Sequence, residues 1–201
     1  MIELVVATRN RHKTREIQHT LGPEFKVRDL GAHPDVSEIR ESGTSFEENS
    51  KLKALAASRQ LPALVIADDS GLEVDALGGA PGIYSARYAG ANATERDKID
   101  KLLRELARVR ATAHGRRARF RCVVALARNG NLLGTFEGIV EGGIAGKARG
   151  DSGFGYDPIF VPYGFEQTFG ELPAEVKNTI SHRAKAIRAL ADRLRRLEFG
   201  D

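Results

Sequence analysis

Apolar positions along the chain follow two rhythms, one of strands and one of helices. Ile2 to Ala7 is a short β-branched run and predicts a strand; Arg11 to Leu21 follows as a helix with Ile17 and Leu21 one turn apart, ended by Gly22-Pro23. Phe25 to Leu30 predicts a second strand, and Ala32 to Ser42 is irregular and acidic. Thr44-Ser45-Phe46-Glu47 has the pattern of a capping box, Thr44 as cap and Glu47 reaching back, and predicts a helix to about Arg59. Ala63 to Asp69 predicts a strand and Leu72 to Leu77 another, with Ser70-Gly71 breaking them apart. Thr94-Glu95-Arg96-Asp97 opens a helix with Ile99, Leu102, Leu103 and Leu106 on one face. Arg119 to Ala127 and Leu132 to Val140 flank Arg128 to Asn131, whose Asn-Gly signals a hairpin turn. Gly142 to Pro158 is glycine-rich and predicts a functional or flexible loop. A last helix runs from Ser181 to about Leu197, with Ile187, Leu190, Leu194 and Leu197 as its core stripe. Helices mixed with strands, and one long hairpin, predict a single α/β domain over residues 1–201 with a mixed rather than all-parallel sheet.

Composition changes this picture little. The 201 residues are 41% hydrophobic and 29% charged, which suits a globular domain with a sizeable core. No apolar run is long enough to span a bilayer, and Met1-Ile2-Glu3 lacks the basic start of a signal peptide. Cys122 is the only cysteine, which excludes an intrachain disulfide and fits a cytoplasmic setting. Lys and Arg number 31 against 27 Asp and Glu, a net +4 that fits an anionic small molecule or nucleic acid alike. The densest basic run, Gly115 to Arg121, alternates Arg117, Arg119 and Arg121 with Ala118, Phe120 and Cys122, the pattern of a strand with one solvated face.

Four stretches carry chemistry. In Val5 to Lys13 a strand passes through a polar turn into a helix, where backbone N–H groups, Thr8, Asn10 and Lys13 could meet a phosphate or simply cap the helix. The spacing is not that of a Walker A loop. Asp68-Asp69-Ser70-Gly71 ends an apolar strand in two carboxylates whose mutual repulsion a divalent cation would remove. Neighbours on a strand point to opposite faces, so both reach one ion only if the strand has broken there. Asp151 to Phe160 could display Phe154 and Tyr156 for stacking on a flat base, or bury them as core plugs. In Lys177 to Ala186, Ser181 caps a helix whose first turn holds His182 and Arg183, cations where the dipole disfavours them, which calls for an anionic or polar partner.

Taken in order, TRNRHK, TSFEEN, ADDSGLEVDALGGAPGIYSARYAG, GFGYDPIF and SHR resemble the inosine/xanthosine triphosphate pyrophosphatases over nearly the whole chain. The resemblance implies a strongly twisted mixed central sheet flanked by helices, in two lobes with an active-site cleft between them. It implies Mg²⁺-dependent hydrolysis of ITP, dITP and XTP to the monophosphate and pyrophosphate, by a cytoplasmic homodimer with neither a nucleic-acid nor a membrane partner. Carried onto this chain, Thr8, Arg9, Asn10, Arg11, His12 and Lys13 would hold the triphosphate, with Lys53 as a second cation. Asp69 would be the principal acid, as metal ligand and as base or orienter of water, with Asp68 assisting. Glu41 would be a further metal ligand, with Glu38 as the alternative in Ser37 to Ser42. Ser70 would touch substrate, and Phe154, Gly155, Tyr156 and Asp157 would form the base pocket with Lys177, His182 and Arg183. The family usually has glycine where this chain has Arg9, which would crowd the loop or add a phosphate contact. Donors aimed at the C6 oxygen of hypoxanthine or xanthine would discriminate against adenine, whose amino group leaves them unpaired.

Two rival readings stand beside this one. A non-catalytic nucleic-acid binding module would use the Arg117, Arg119 and Arg121 face and bind with steep salt dependence. A related pyrophosphatase acting on pyrimidine or modified nucleotides would use the same fold and metal.

Overall fold

The computed structural model describes residues 2–37, 39–112 and 116–199. Six strands form one mixed sheet in the order β2-β1-β3-β4-β5-β6. They are β1 (Ile2–Val6), β2 (Phe25–Asp29), β3 (Leu64–Val74), β4 (Arg117–Arg128), β5 (Asn131–Ile144) and β6 (Phe160–Pro162). The helices are α1 (Arg11–Leu21), α2 (Phe46–Ser58), α3 (Glu95–Arg108), α4 (Ala174–Ile180) and α5 (His182–Phe199). β1 is parallel to both β2 and β3, whereas β5 and β6 are antiparallel, so the sheet is mixed as expected. No helix among the described residues is long and apolar enough to cross a membrane.

The chain divides into two compact units, each assembled from separated segments. The first comprises Met1–Asp69, Cys122–Gly138 and His182–Asp201; the second comprises Ser70–Arg121 and Ile139–Ser181.

In the first unit both sheet faces are covered, and alternate strand positions belong to different cores. Leu4, Val6, Ile66, Cys122, Val124 and Leu126 pack with Ile17 and Leu21 of α1 and Ala186, Ile187, Leu190 and Leu194 of α5. Val5, Ala7, Val65, Ala67, Ala125 and Ala127 pack instead with Ala54 and Ala57 of α2. The hairpin between β4 and β5 turns at Asn129 and Gly130, whose φ angles of 51° and 76° are those of the tight turn that matches strand twist.

The second unit buries a separate core in which Ile99, Leu102 and Leu106 of α3 meet Leu72, Val74, Phe120 and Phe160. Phe160 lies 4.7 Å from Phe120 and 5.3 Å from Phe169, ring centre to ring centre. A capping box starts α3, with Thr94 accepting from the Asp97 N–H and the Asp97 carboxylate accepting from Thr94.

Several expectations are corrected. The strand does not break at Ser70-Gly71: β3 runs unbroken to Val74, because Gly71 and Leu72 are buried strand positions and the Leu72 N–H donates to Ser85 Oγ. The cap of α2 is Ser45 rather than Thr44, and Glu48 rather than Glu47 reaches back, accepting from the Thr44 N–H at 2.6 Å. Gly142 and Gly143 lie in β5, paired with β6, rather than in the following loop. A short helix, α4, precedes the last one. On the arginine face of β4, Arg119 pairs with Glu73 at 2.8 Å and Arg121 with Glu73 at 3.2 Å, while Arg117 is exposed. Leu197, placed on the last helix's stripe, and Gly115 lie outside the described side chains and residues.

At Gly138, β5 lies close against α5 in the first unit. A Cβ there would lie 2.0 Å from the His182 carbonyl oxygen and 2.6 Å from the Ala186 nitrogen. Both are backbone atoms, so nothing flexible can yield. Gly138→Ala is therefore expected to destabilise the fold by about 1–3 kcal/mol, read as a lower urea midpoint; an unchanged midpoint would contradict this packing.

Candidate active site

In the first unit the alternation of β3 delivers its two aspartates to different environments. Asp68 continues the face of Ile66, toward α1 and α5. Its Oδ2 lies 3.0 Å from Lys13 Nζ and 3.1 Å from Arg183 Nη2, and the Arg183 Nε donates to the same oxygen at 3.2 Å. Arg183 also pairs with Glu16 of α1. Burial opposes the charge on Asp68, but Lys13, Arg183 and Lys53 together outweigh it and hold its carboxyl far below the usual range. The same Asp68 raises the neighbouring guanidinium: Arg183 is fully charged despite burial.

Asp69 continues the face of Val65 and Ala67, toward α2. Lys53 Nζ lies 3.7 Å from Asp69 Oδ1, donates to Glu41 Oε1 at 2.6 Å and donates to the Asp68 carbonyl at 2.7 Å. Burial raises the Asp69 carboxyl, Lys53 opposes this, and the nearby charge of Glu41 raises it further; the net direction is upward. For Lys53 burial works against the ammonium, but Asp69, Asp68 and Glu41 prevail and keep it charged. Two adjacent carboxylates thus acquire opposite proton affinities, the signature of a divided acid–base role. Burial, then the Asp68 charge, pushes the Cys122 thiol up to about 12, so it stays protonated near neutrality and offers no thiolate nucleophile.

The turn from β1 into α1 is built by its own side chains. Asn10 caps α1, accepting from the His12 N–H at 2.9 Å and the Lys13 N–H at 3.4 Å, and Thr8 Oγ1 accepts from the Asn10 N–H at 3.1 Å. The helix-end donors expected to meet a phosphate are in part taken by this cap. Arg11 and His12 are exposed and Lys13 is half-buried against Asp68. Arg9 is the residue expected to crowd this loop or add a phosphate contact. Its guanidinium donates to the Leu30 carbonyl at 3.1 Å and the Val36 carbonyl at 3.0 Å, anchoring the segment after β2. Arg183, expected at a base, pairs with Asp68 and Glu16, which gives it anionic partners at its place at a helix start. His182 opens α5 and is buried. Glu38, the alternative to Glu41, lies outside the described residues.

In the second unit, Phe154, Gly155, Tyr156 and Asp157 form a turn organised by one carboxylate. Asp157 Oδ2 accepts from the Phe154 N–H at 2.7 Å and from Lys177 Nζ at 2.5 Å. Gly153, with φ of 77°, makes room for it, since a Cβ there would lie 2.0 Å from that oxygen. Lys177 Nζ sits 4.8 Å from the centre of the Phe154 ring, a buried cation against an aromatic face. Phe154 is half-exposed, but Tyr156 is not displayed: it is buried and its hydroxyl donates to the Ser85 carbonyl at 3.0 Å. Ser70 is a half-buried position of β3.

Sequence reasoning missed Glu16, Asn49 and Ser85. Glu16 follows Lys13 by one helical turn, a spacing that placed it on the same face. Asn49 precedes Lys53 by one turn on α2, a spacing that sets it on the same helix face. Ser85 gave no signal.

The Ham1 family model matches residues 4–193 of the chain. The chain is 48% identical over 192 residues to a dITP/XTP pyrophosphatase of Shouchella clausii, covering 96% of each. It is 45% identical over 192 residues to the dITP/XTP pyrophosphatase of Bacillus subtilis, covering 95% of this chain and 96% of that one. Among solved structures, a HAM1 protein from Coxiella burnetii superposes with a TM-score of 0.86 at 41% identity, covering 96% of this chain and 98% of that one.

Asp68 gives a stability prediction with a definite sign. Its folded pKa is depressed, so the unfolded chain, near 3.9, takes up the proton first, and the stability it contributes is present above about pH 5 and lost as pH falls. Asp68→Asn leaves Arg183 buried beside a neutral amide and should cost about 3–5 kcal/mol near neutrality, with a shallower loss toward acid. Urea unfolding from neutral to acid pH measures both; an acid slope equal to the wild type's would contradict the assignment.

Proposed function

The chain belongs to the Ham1 family, and from that membership we propose that it hydrolyses non-standard purine nucleoside triphosphates, dITP, XTP and ITP, to the monophosphate and pyrophosphate with Mg²⁺. The observation that supports this most is the divided pair on β3. Asp68 is committed to Lys13 and Arg183, while Asp69, with its raised proton affinity, stands beside Lys53 and Glu41.

The residues fit a magnesium ion. Glu41 and Asp69 share the Lys53 ammonium, and the charge of one raises the carboxyl of the other, a strain that a divalent cation relieves. Among the described residues no three His, Cys, Asp or Glu side chains form a protein-only cage. Magnesium does not need one, since one or two carboxylates with water and phosphate oxygens suffice. Glu41 and Asp69 would hold it, and once bound it would offset the charge that builds on the phosphate oxygens.

The chain's own groups do the rest. Lys13 and Lys53 supply cations to the triphosphate. Asp69 orients the water that attacks the α-phosphorus and takes its proton at a carboxylate oxygen, so that pyrophosphate departs. For the base, Phe154 offers a ring face and Lys177 a buried cation beside it, suited to a purine with oxygen rather than an amino group at C6. A cytoplasmic homodimer completes the proposal, carried by the family resemblance alone.

A product assay tests it. With Mg²⁺ the chain should release pyrophosphate from dITP, XTP and ITP, little from ATP or GTP, and none once EDTA is added. Orthophosphate as the first product would mean that another bond is cut. Asp69→Asn should lower kcat by about 10²- to 10⁴-fold; near-full activity in that variant would remove Asp69 from its role.

A further inference from the structure

Glu41 lies in an irregular segment, and no helix or strand holds it where Lys53 and Asp69 meet. Two residues on, the chain is pinned to α2. The Gly43 N–H donates to Asn49 Oδ1 at 2.8 Å, and the Thr44 N–H donates to Glu48 Oε2 at 2.6 Å. Only glycine permits this approach: a Cβ on Gly43 would lie 2.7 Å from Glu48 Cβ and 2.8 Å from Asn49 Oδ1.

Asn49 is fully buried, at 0% exposure, on α2, which also turns Ala54 and Ala57 to the core. A buried amide is unfavourable unless its atoms are used. Acceptance from Gly43 settles which amide atom is oxygen, and the Nδ2 therefore faces the other way. That nitrogen makes no hydrogen bond of ordinary length among the described residues. Lys53, on the same helix, lies 3.7 Å from Asp69 Oδ1, and the Asn49 amide favours the charged form of Asp69. Asn49 also precedes Lys53 by one helical turn, which sets both on the face of α2 that meets β3.

We infer that Asn49 is a positioning residue of this site: its oxygen clasps the Gly43 N–H and so seats Glu41, while its Nδ2 is a preset donor that orients the Asp69 carboxylate. The kinetic consequence rests on the pyrophosphatase reading above; the clasp itself does not. Without Asn49 both carboxylates would still be present but would sample more positions, which lowers turnover more than substrate binding.

Two variants and two readouts test this. Asn49→Ala removes both functions, and Asn49→Asp keeps an oxygen for Gly43 while losing the donor. With dITP, kcat should fall by roughly 10–100-fold in both, with KM little changed. Amide exchange followed by NMR should show the Gly43 proton protected in the wild type and in Asn49→Asp but exposed in Asn49→Ala. Wild-type kcat in folded Asn49→Ala, or unchanged Gly43 protection there, would overturn the inference. Should Asn49→Ala not fold, Asn49→Asp decides: wild-type turnover in it overturns the orienting role, and reduced turnover with Gly43 still protected supports it. Absence of pyrophosphate from the wild type would refute the functional reading instead, and the exchange measurement, which needs no substrate, would still decide the clasp.

Discussion

Two neighbouring carboxylates buried in the middle of a strand cannot share one environment. The pleat sends Asp68 and Asp69 to opposite faces, and each face must then supply its own compensation. Toward α1 and α5 two cations meet one oxygen of Asp68. Toward α2 the compensation is partial, with one lysine serving two carboxylates. The first unit is organised around this difference. α1 carries Lys13 and Glu16 on one face, α5 begins at the residues that bring Arg183 to Asp68, and α2 carries Asn49 and Lys53 to the other side.

Incomplete compensation is what makes the α2 side chemically useful. A fully paired carboxylate has little tendency to accept a proton or to bind a cation. Asp69 keeps both tendencies because burial and Glu41 work against its charge while Lys53 is the main support for it. The rigid side steadies the strand that presents the reactive side, since both groups hang from consecutive residues of one backbone. The same logic explains the silence of Cys122, whose thiol is held protonated by burial and by the Asp68 charge.

Much of this was legible in the chain and some was not, for physical reasons. Strand and helix rhythms located β1, α1, α3 and the hairpin at Asn129-Gly130 well, because local periodicity and turn chemistry decide them. The unbroken course of β3 was not legible: Ser70-Gly71 reads locally as a stop, and only pairing with neighbouring strands carries the strand through. Asp69, Lys53 and Glu41 could be named from their types and the family resemblance, and the structure brings them together. The partners of Arg9 and Arg183 within the chain could not be read, because the Leu30 and Val36 carbonyls and Glu16 with Asp68 reach them through tertiary contacts. Tyr156 shows the same limit: a loop aromatic proved to be a core residue with its hydroxyl bonded to Ser85.

One strand gives adjacent aspartates opposite proton affinities, and the separate roles proposed for Asp68 and Asp69 follow from that. Titration of the side-chain carboxyl carbons by ¹³C NMR, with Asp68 and Asp69 assigned individually, measures it directly. Asp69 should titrate above the ordinary aspartate value of about 3.9, and Asp68 should stay ionised well below it. Joint titration of the pair near the ordinary value, or the reverse order, would contradict the account.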